Sequence, residues 1–315
     1  MSITITGGIT LNGGGWTIDA PPAGSKAIFG YGDISAGPTS ITNLVSNTGV
    51  VATDTTGVGT ARWSLAAAGY GGDKAIFGYG ILGAPTYVDQ SVTNLVSNTG
   101  VVANDTAGVG TARYGLAAAG YGTDKAIFGY GYGGAYLSTT NLVSNTGVVA
   151  NNTAGVGTAR TSPAAAKYST DKAIFGYGVV GSGSLSMTNL VSNTGVVATD
   201  TTGVGTARNQ LAAAGYGTDK AIFGYGVNDS GISVSMTNLV SNTGVVASDT
   251  TGVGTARFSL AAAGYSTDKA IFGYGTTGGA GRQSITNLVT NTGVVGTDVT
   301  GVGTARGYLG AAAYG

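Results

Sequence analysis

The strongest constraint on this chain is its own repetition. The string KAIFGYG begins at Lys26, Lys74, Lys125, Lys172, Lys220 and Lys269, at spacings of 48, 51, 47, 48 and 49 residues. Each copy leads into TNLVxNTGVV and then GVGTAR, which ends at Arg62, Arg113, Arg160, Arg208, Arg257 and Arg306. A repeat of this length is one supersecondary unit that cannot bury its apolar face alone, so neighbouring units must stack. Whatever one unit folds into, the chain contains it six times.

The pattern inside a unit is that of short strands. LAAAGY, KAIFGYG, TNLVSN and GVVATD are Gly-bounded segments rich in Val, Ile, Phe, Tyr and Thr, which suit a pleated, half-buried surface. YGTD and SNTG supply the Gly, Asn and Asp that tight turns accept. No segment carries a sustained 3.6-residue apolar stripe, and each of the 59 glycines would cost a helix interior about 1 kcal/mol. Four strands per unit predict an all-β chain: a six-bladed β-propeller of four-stranded antiparallel blades, with an open solenoid as the other way to stack the units.

The ends of the repeat favour closure. The chain finishes in RGYLGAAAYG, a first strand with no second strand after it, whereas the motif at Lys26 is a second strand with no repeat-type first strand before it. Joining Tyr314-Gly315 to Ser25-Lys26 restores the register, so the C-terminal strand is expected to complete the first blade and close the ring, removing sheet edges. Residues 25–315 then form the propeller. Residues 1–24 stand apart as an N-terminal arm or extra strand with a Pro-Pro linker and Trp16 as an anchor, a means of attachment to a larger assembly.

Composition excludes several chemistries. The chain has no His, Cys or Glu; all 14 acidic residues are Asp, and the net charge is zero. There is therefore no Ser-His-Asp triad, thiol nucleophile, imidazole metal site or disulfide framework. The charge balance gives no footprint for nucleic acid. No apolar run reaches the roughly 20 residues that span a membrane, so membrane insertion is not expected, and the N-terminus lacks the basic and apolar regions of a Sec signal. Gly-Tyr-Gly is followed by a strand and loop rather than by a helix N-terminus, which does not suit phosphate. No cofactor, metal or enzymatic activity is expected.

The run Arg113-Tyr-Gly-Leu-Ala-Ala-Ala-Gly-Tyr-Gly-Thr-Asp-Lys-Ala-Ile-Phe-Gly-Tyr-Gly resembles a kelch repeat: an Arg, a small-residue strand, a second strand ending in paired Gly, then a variable loop. Two features depart from that pattern, since the paired Gly is Gly-Tyr-Gly and the fourth-strand Trp is missing. The resemblance implies a propeller that binds partners through the face bearing the residues just after the repeat Arg. The Thr/Gly/Ile-rich leader ahead of a repetitive β body also looks like virion proteins of bacteriophages.

With six internal copies, variation between units is legible without other sequences. It falls between KAIFGYG and TNLV (residues 33–41, 81–92, 132–139, 179–187, 227–236 and 276–285) and in the pair after each Arg. In a meander these two places lie on one face, and the near-constant YGTD and SNTG turns on the other. Seven of the eight aromatics outside the repeat fall in the variable places: Trp63, Tyr87, Tyr114, Tyr132, Tyr136, Phe258 and Tyr308. Exposed aromatics on rigid loops make good anchors because they bury much area at little entropic cost. With the polar pair Asn209 and Gln210 and the one Arg outside the repeat, Arg282, they are the candidate ligand-binding residues. Loop drift is the competing explanation.

Five units carry an Asp eight residues before the Arg (Asp54, Asp105, Asp200, Asp249 and Asp298), and the remaining unit has Asn152. The six Arg residues could cradle an anion or pair structurally with these Asp residues, within or between units. The reading as a whole is a non-enzymatic recognition module that binds a host-surface glycan, polysaccharide or other polymer, or a protein receptor, as a phage fibre or virion adhesin, located on the virion or outside the cell. The alternative is a structural or protein-interaction scaffold, engineered or recently duplicated, in the cytoplasm.

Overall fold

The computed structural model describes residues 9–12, 15–18, 25–181, 183–278 and 281–315. Among these, all regular structure is β, in short antiparallel sheets of two or three strands. Each repeat contributes to one three-stranded sheet, built from an inner small-residue strand, a middle KAIFG strand and an outer TNLV strand. In the third sheet these are Ala117–Tyr121, Lys125–Gly129 and Thr140–Val143, with Ala117 opposite Gly129 and Gly129 opposite Thr140. The first sheet is assembled from both ends of the chain, because Gly310–Tyr314 pairs with Lys26–Gly30 in the same register. The expected completion by the C-terminal strand is therefore present.

Side-chain pattern explains the layering. Inner strands alternate buried and half-buried positions, so Ala66, Ala68 and Tyr70 are buried while Ala67 and Gly69 face away. In the middle strands Ala, Ile, Phe and Gly are all buried, which is why this segment is a continuous apolar run rather than an alternating one.

The expected fourth strand is reduced to two bridges per unit. In the third unit these are Val143↔Val149 and Thr140↔Thr153. Between them, three residues (Ala150, Asn151, Asn152) stand opposite two (Asn141, Leu142), so the ladder carries a bulge. The cause is the buried Asn141, whose Nδ2 donates to Ala150 O at 3.0 Å and to Asn152 Oδ1 at 3.0 Å. A side chain takes the place of backbone pairing.

Sheets pack on one another by a Phe-into-Gly contact. A Cβ on Gly129 would lie 2.8 Å from Phe175 Cζ, and the same holds for Gly78 with Phe128 at 2.8 Å and Gly30 with Phe77 at 2.7 Å. Gly176 and Gly224 receive Phe223 and Phe272, and Gly273 of the sixth sheet receives Phe29 of the first. Phe175 also meets Tyr130 edge-on, with ring centroids 5.1 Å apart. The inner strands of successive sheets are neighbours, and that of the sixth lies beside that of the first.

In the leader, Ile9–Asn12 pairs antiparallel with Gly15–Ile18. The Pro-Pro linker and the Trp16 side chain lie outside what is described.

The Phe–Gly contact yields a prediction. Gly129→Ala should destabilise the chain by about 1–3 kcal/mol, the usual cost of overpacking. A thermal melt checks this, and Phe175→Leu in the same chain should recover part of the loss.

Candidate functional site

The variable positions rest on the repeat Arg residues. Arg62 is fully buried. Its Nε donates to Tyr79 O at 2.7 Å, Nη1 to Thr60 O at 3.0 Å and Nη2 to Asn94 Oδ1 at 2.7 Å. Its Cζ sits 4.5 Å from the ring centroid of Tyr31, which belongs to the preceding sheet. The other five Arg residues stand over Tyr79, Tyr130, Tyr177, Tyr225 and Tyr274 at 4.1–4.5 Å. Burial pushes the Tyr31 phenol up to about 12 despite the opposing charge of Arg62. Every described Arg of the repeat is thus committed to the scaffold, and none is free to cradle an anion.

Sequence reasoning left open which Asp serves which Arg. Arg62 Nη1 lies 3.9 Å from Asp105, Arg160 4.0 Å from Asp200 and Arg208 3.7 Å from Asp249. The partner is the Asp 40–43 residues downstream, not the one eight residues upstream. Asp105 also accepts from Thr60 N at 3.0 Å and from Asn94 Nδ2 at 2.8 Å. Burial disfavours the Asp105 carboxylate, but the hydrogen bonds from Thr60 and Asn94 and the charge of Arg62 outweigh it, so its pKa lies below the ordinary value. Asp54, Asp200, Asp249 and Asp298 behave alike. Arg113 has Asn152 where the others have a carboxylate, and Asn152 still accepts from Thr111 N at 3.2 Å.

Beyond each Arg the chain reaches the variable pair, and the backbone fixes both members. The first residue bridges to the first residue after Gly-Tyr-Gly: Trp63 to Ile81, Tyr114 to Tyr132, Thr161 to Val179, Asn209 to Val227, Phe258 to Thr276 and Gly307 to Asp33. The two variable regions therefore do meet on one face. On the other face the constant turns meet, where Asn98 Nδ2 donates to Asp73 Oδ2 at 3.1 Å.

The second residue of each pair adopts a left-handed backbone: Ser64, Gly115, Ser162, Gln210, Ser259 and Tyr308, at φ of 50–60°. Their amides form a head-to-tail cycle. Gly115 N donates to Ser64 O, Ser162 N to Gly115 O, Gln210 N to Ser162 O, Ser259 N to Gln210 O, Tyr308 N to Ser259 O and Ser64 N to Tyr308 O, at 2.6–3.2 Å. Four side-chain identities over the six positions hide this shared geometry, and the sequence gives no sign of it beyond the fixed offset from Arg.

The candidate aromatics are less exposed than the anchors that the sequence suggests. Only Tyr87 is open, at 60% exposure; the other nine candidates are half-buried because they pack on their neighbours. Trp63 meets Tyr308 edge-on at 5.0 Å. Tyr114 lies 5.7 Å from Tyr132, which lies 5.4 Å from Tyr136, giving a three-ring cluster. Burial raises the Tyr114 phenol, and the negative charge of nearby Asp89 raises it further. Burial also raises the Asp89 carboxyl. Asn209 Nδ2 donates to Ser184 Oγ at 2.9 Å, and Arg282 forms an ion pair with Asp33 of the neighbouring unit. Phe258 and Gln210 join no cluster. Asp89 was not a sequence candidate; its only signal was an Asp within a variable loop.

Among the described residues no group of three or more acidic side chains could hold a metal. No protein-family model matches this chain, and no curated protein matches it in sequence.

The carboxylate ring predicts an acid sensitivity of known sign. Carboxyls depressed below the unfolded aspartate value of about 3.9 contribute stability above it, and that stability is lost as pH falls through their folded values. Asn152→Asp would complete the set around Arg113 and should stabilise the chain at pH 7 by on the order of 1 kcal/mol or less. Thermal melts from pH 7 to pH 2 should show that gain disappearing in acid.

Proposed function

We propose that the six sheets are the blades of a six-bladed β-propeller, and that this chain is a non-enzymatic recognition module. Its variable-loop face binds a host-surface glycan or polymer, in the manner of a phage fibre or virion adhesin. Support for the ring comes from the Phe–Gly contacts that run from each sheet to the next and from the sixth to the first. The six-residue amide cycle and the pairing of Gly310–Tyr314 with Lys26–Gly30 support the same closure. A resemblance to kelch propellers, carried by the repeat Arg and the small-residue strand, belongs to the same proposal.

The observation that carries the binding reading is the cluster of Tyr114, Tyr132 and Tyr136 beside Asp89. Sugars are bound by aromatic rings that cover C–H faces, together with a few polar groups that fix hydroxyls. A carboxyl close to Tyr114, one of the three rings, offers that combination, and exposed Tyr87 stands on the same loop as Asp89. Rigid backbone on both sides of Tyr132 limits the ordering cost on binding.

A competing reading, a scaffold for a protein partner, is favoured by the half-burial of most candidate aromatics, whose packing on neighbours is itself a structural role. An array of glycans and bacterial surface polysaccharides separates the two. The full chain should bind at least one class, and Tyr114→Ala with Tyr136→Ala should weaken binding tenfold or more while the melting transition survives. No binding by the parent, or binding indifferent to both substitutions, would sink the glycan reading and favour the scaffold.

A further inference from the structure

The six inner strands surround a cavity of about 370 Å³ that opens among the constant turns, on the face opposite the variable loops. Two tiers of small residues line it. One is Ala67, Ala118, Ala165, Ala213, Ala262 and Ala311. The other holds Gly69, Gly120, Gly215, Gly264 and Ala313, with Lys167 at the sixth position. Leu65, Leu116 and Leu211 line a separate, smaller space towards the amide cycle and do not reach this cavity.

Lys167 is therefore the one long side chain in a tier that is otherwise Gly and Ala. Its stem runs past Gly120 of the neighbouring strand, where a Cβ would make only an ordinary contact, 3.9 Å from Lys167 Cδ. The other lysines that line the cavity belong to Asp-Lys turns and are answered locally: Lys74, Lys125 and Lys220 each lie 3.0 Å from the preceding Asp, and Lys269 lies 3.6 Å from Asp268. Lys167 forms no ion pair among the described residues. All seven lysines of the chain stand on this face against five turn aspartates, because Ser25 replaces the Asp in the closing unit, so the net charge there is plus two. Hydroxyls of Ser169, Ser266, Thr123 and Thr218 line the same cavity.

We propose that this cavity binds a small oxyanion, a phosphate or a carboxylate group, with the Lys167 ammonium as its charged anchor and the turn hydroxyls as further donors. Asp171 is the carboxylate that acts on the Lys167 ammonium, but it makes no ion pair with it, so much of that charge is left to be met by a ligand. Burial lowers the Lys167 pKa, with Asp171 opposing that effect, as fits an amine short of a counter-charge. The site is independent of the variable-face reading, because it shares no residue with it.

The test uses the full chain with its amines reductively ¹³C-methylated, titrated with inorganic phosphate and separately with acetate at constant ionic strength. Lys167→Gly assigns the Lys167 signal, and Gly at the equivalent position of four other units makes it compatible with the fold. The expected result is a saturable shift of the Lys167 signal at tenfold lower anion concentration than any other lysine, for at least one anion. Phosphate or acetate should also raise the melting temperature of the parent and of Lys167→Arg, and not that of Lys167→Gly. Shifts that are linear and shared by all lysines, or equal stabilisation of parent and Lys167→Gly, would overturn the proposal.

Discussion

The buried guanidinium is the contact on which the rest of this structure depends. Arg62 joins three parts of the chain that are distant in sequence: the crossover loop before it, the end of the middle strand and the outer strand of its own sheet, and a Tyr of the preceding sheet. The other repeat Arg residues do the same except Arg160, whose Nε has no partner. A charge removed from water costs several kcal/mol unless its donors are met. Here all three nitrogens of Arg62 have acceptors, a ring lies beneath it, and a carboxylate stands just beyond hydrogen-bond range. Without the guanidinium, the Asn94 oxygen and the Tyr79 carbonyl would be buried and unpartnered, at roughly 1–3 kcal/mol each. The contact is also what couples one sheet to the next.

That coupling explains an otherwise costly feature. Tyr31, Tyr79, Tyr130, Tyr177, Tyr225 and Tyr274 adopt φ of 62–65°, a left-handed conformation that costs a bulky residue about 1–2 kcal/mol. The following glycines share the positive φ, at about 101–107°. The turn brings the Tyr ring between the Phe of the next sheet and the next Arg, and lets its hydroxyl donate to a crossover carbonyl, as Tyr31 does to Val58 O at 3.0 Å. A desolvated cation–π contact of about 2 kcal/mol and a satisfied hydroxyl offset the strain. The sequence Gly-Tyr-Gly therefore serves packing, and the departure from paired Gly acquires a physical reason.

Much of this was legible in the residues themselves. Repetition fixed the number of sheets, Gly and turn chemistry fixed the strand breaks, and the split register between Tyr314 and Lys26 foretold the pairing of the two chain ends. What sequence reasoning missed was three-dimensional satisfaction of polar groups. GVVATD reads as a strand by propensity, but the Asn side chain in TNLV competes for its carbonyl and a bulge results. The Asp eight residues before five of the Arg residues could pair within or between units, and spacing alone does not decide that the crossover carries each Arg onwards to the Asp of the next unit. The aromatics read as exposed anchors, because a pattern shows which positions vary and not whether their rings pack together. Lys167 was passed over because an apolar repeat motif matched around it.

The amide cycle accounts for where variation is tolerated. At Ser64, Gly115, Ser162, Gln210, Ser259 and Tyr308 the scaffold uses only the backbone, taking one N–H and one C=O from each residue. Ser, Gly, Gln and Tyr all occupy these positions, and only one of the six is glycine, so each of the others carries strain that the cycle holds in place. The residue before each of them is likewise held by backbone bridging to the next variable loop. On this face the backbone carries most of the scaffold's contacts, while on the opposite face Asp, Lys and Asn side chains complete the turns. Constant turns surround the cavity that holds Lys167 and variable loops surround the aromatics. The two faces therefore differ in construction: one is held by constant side chains around a charged cavity, the other by backbone beneath changing loops.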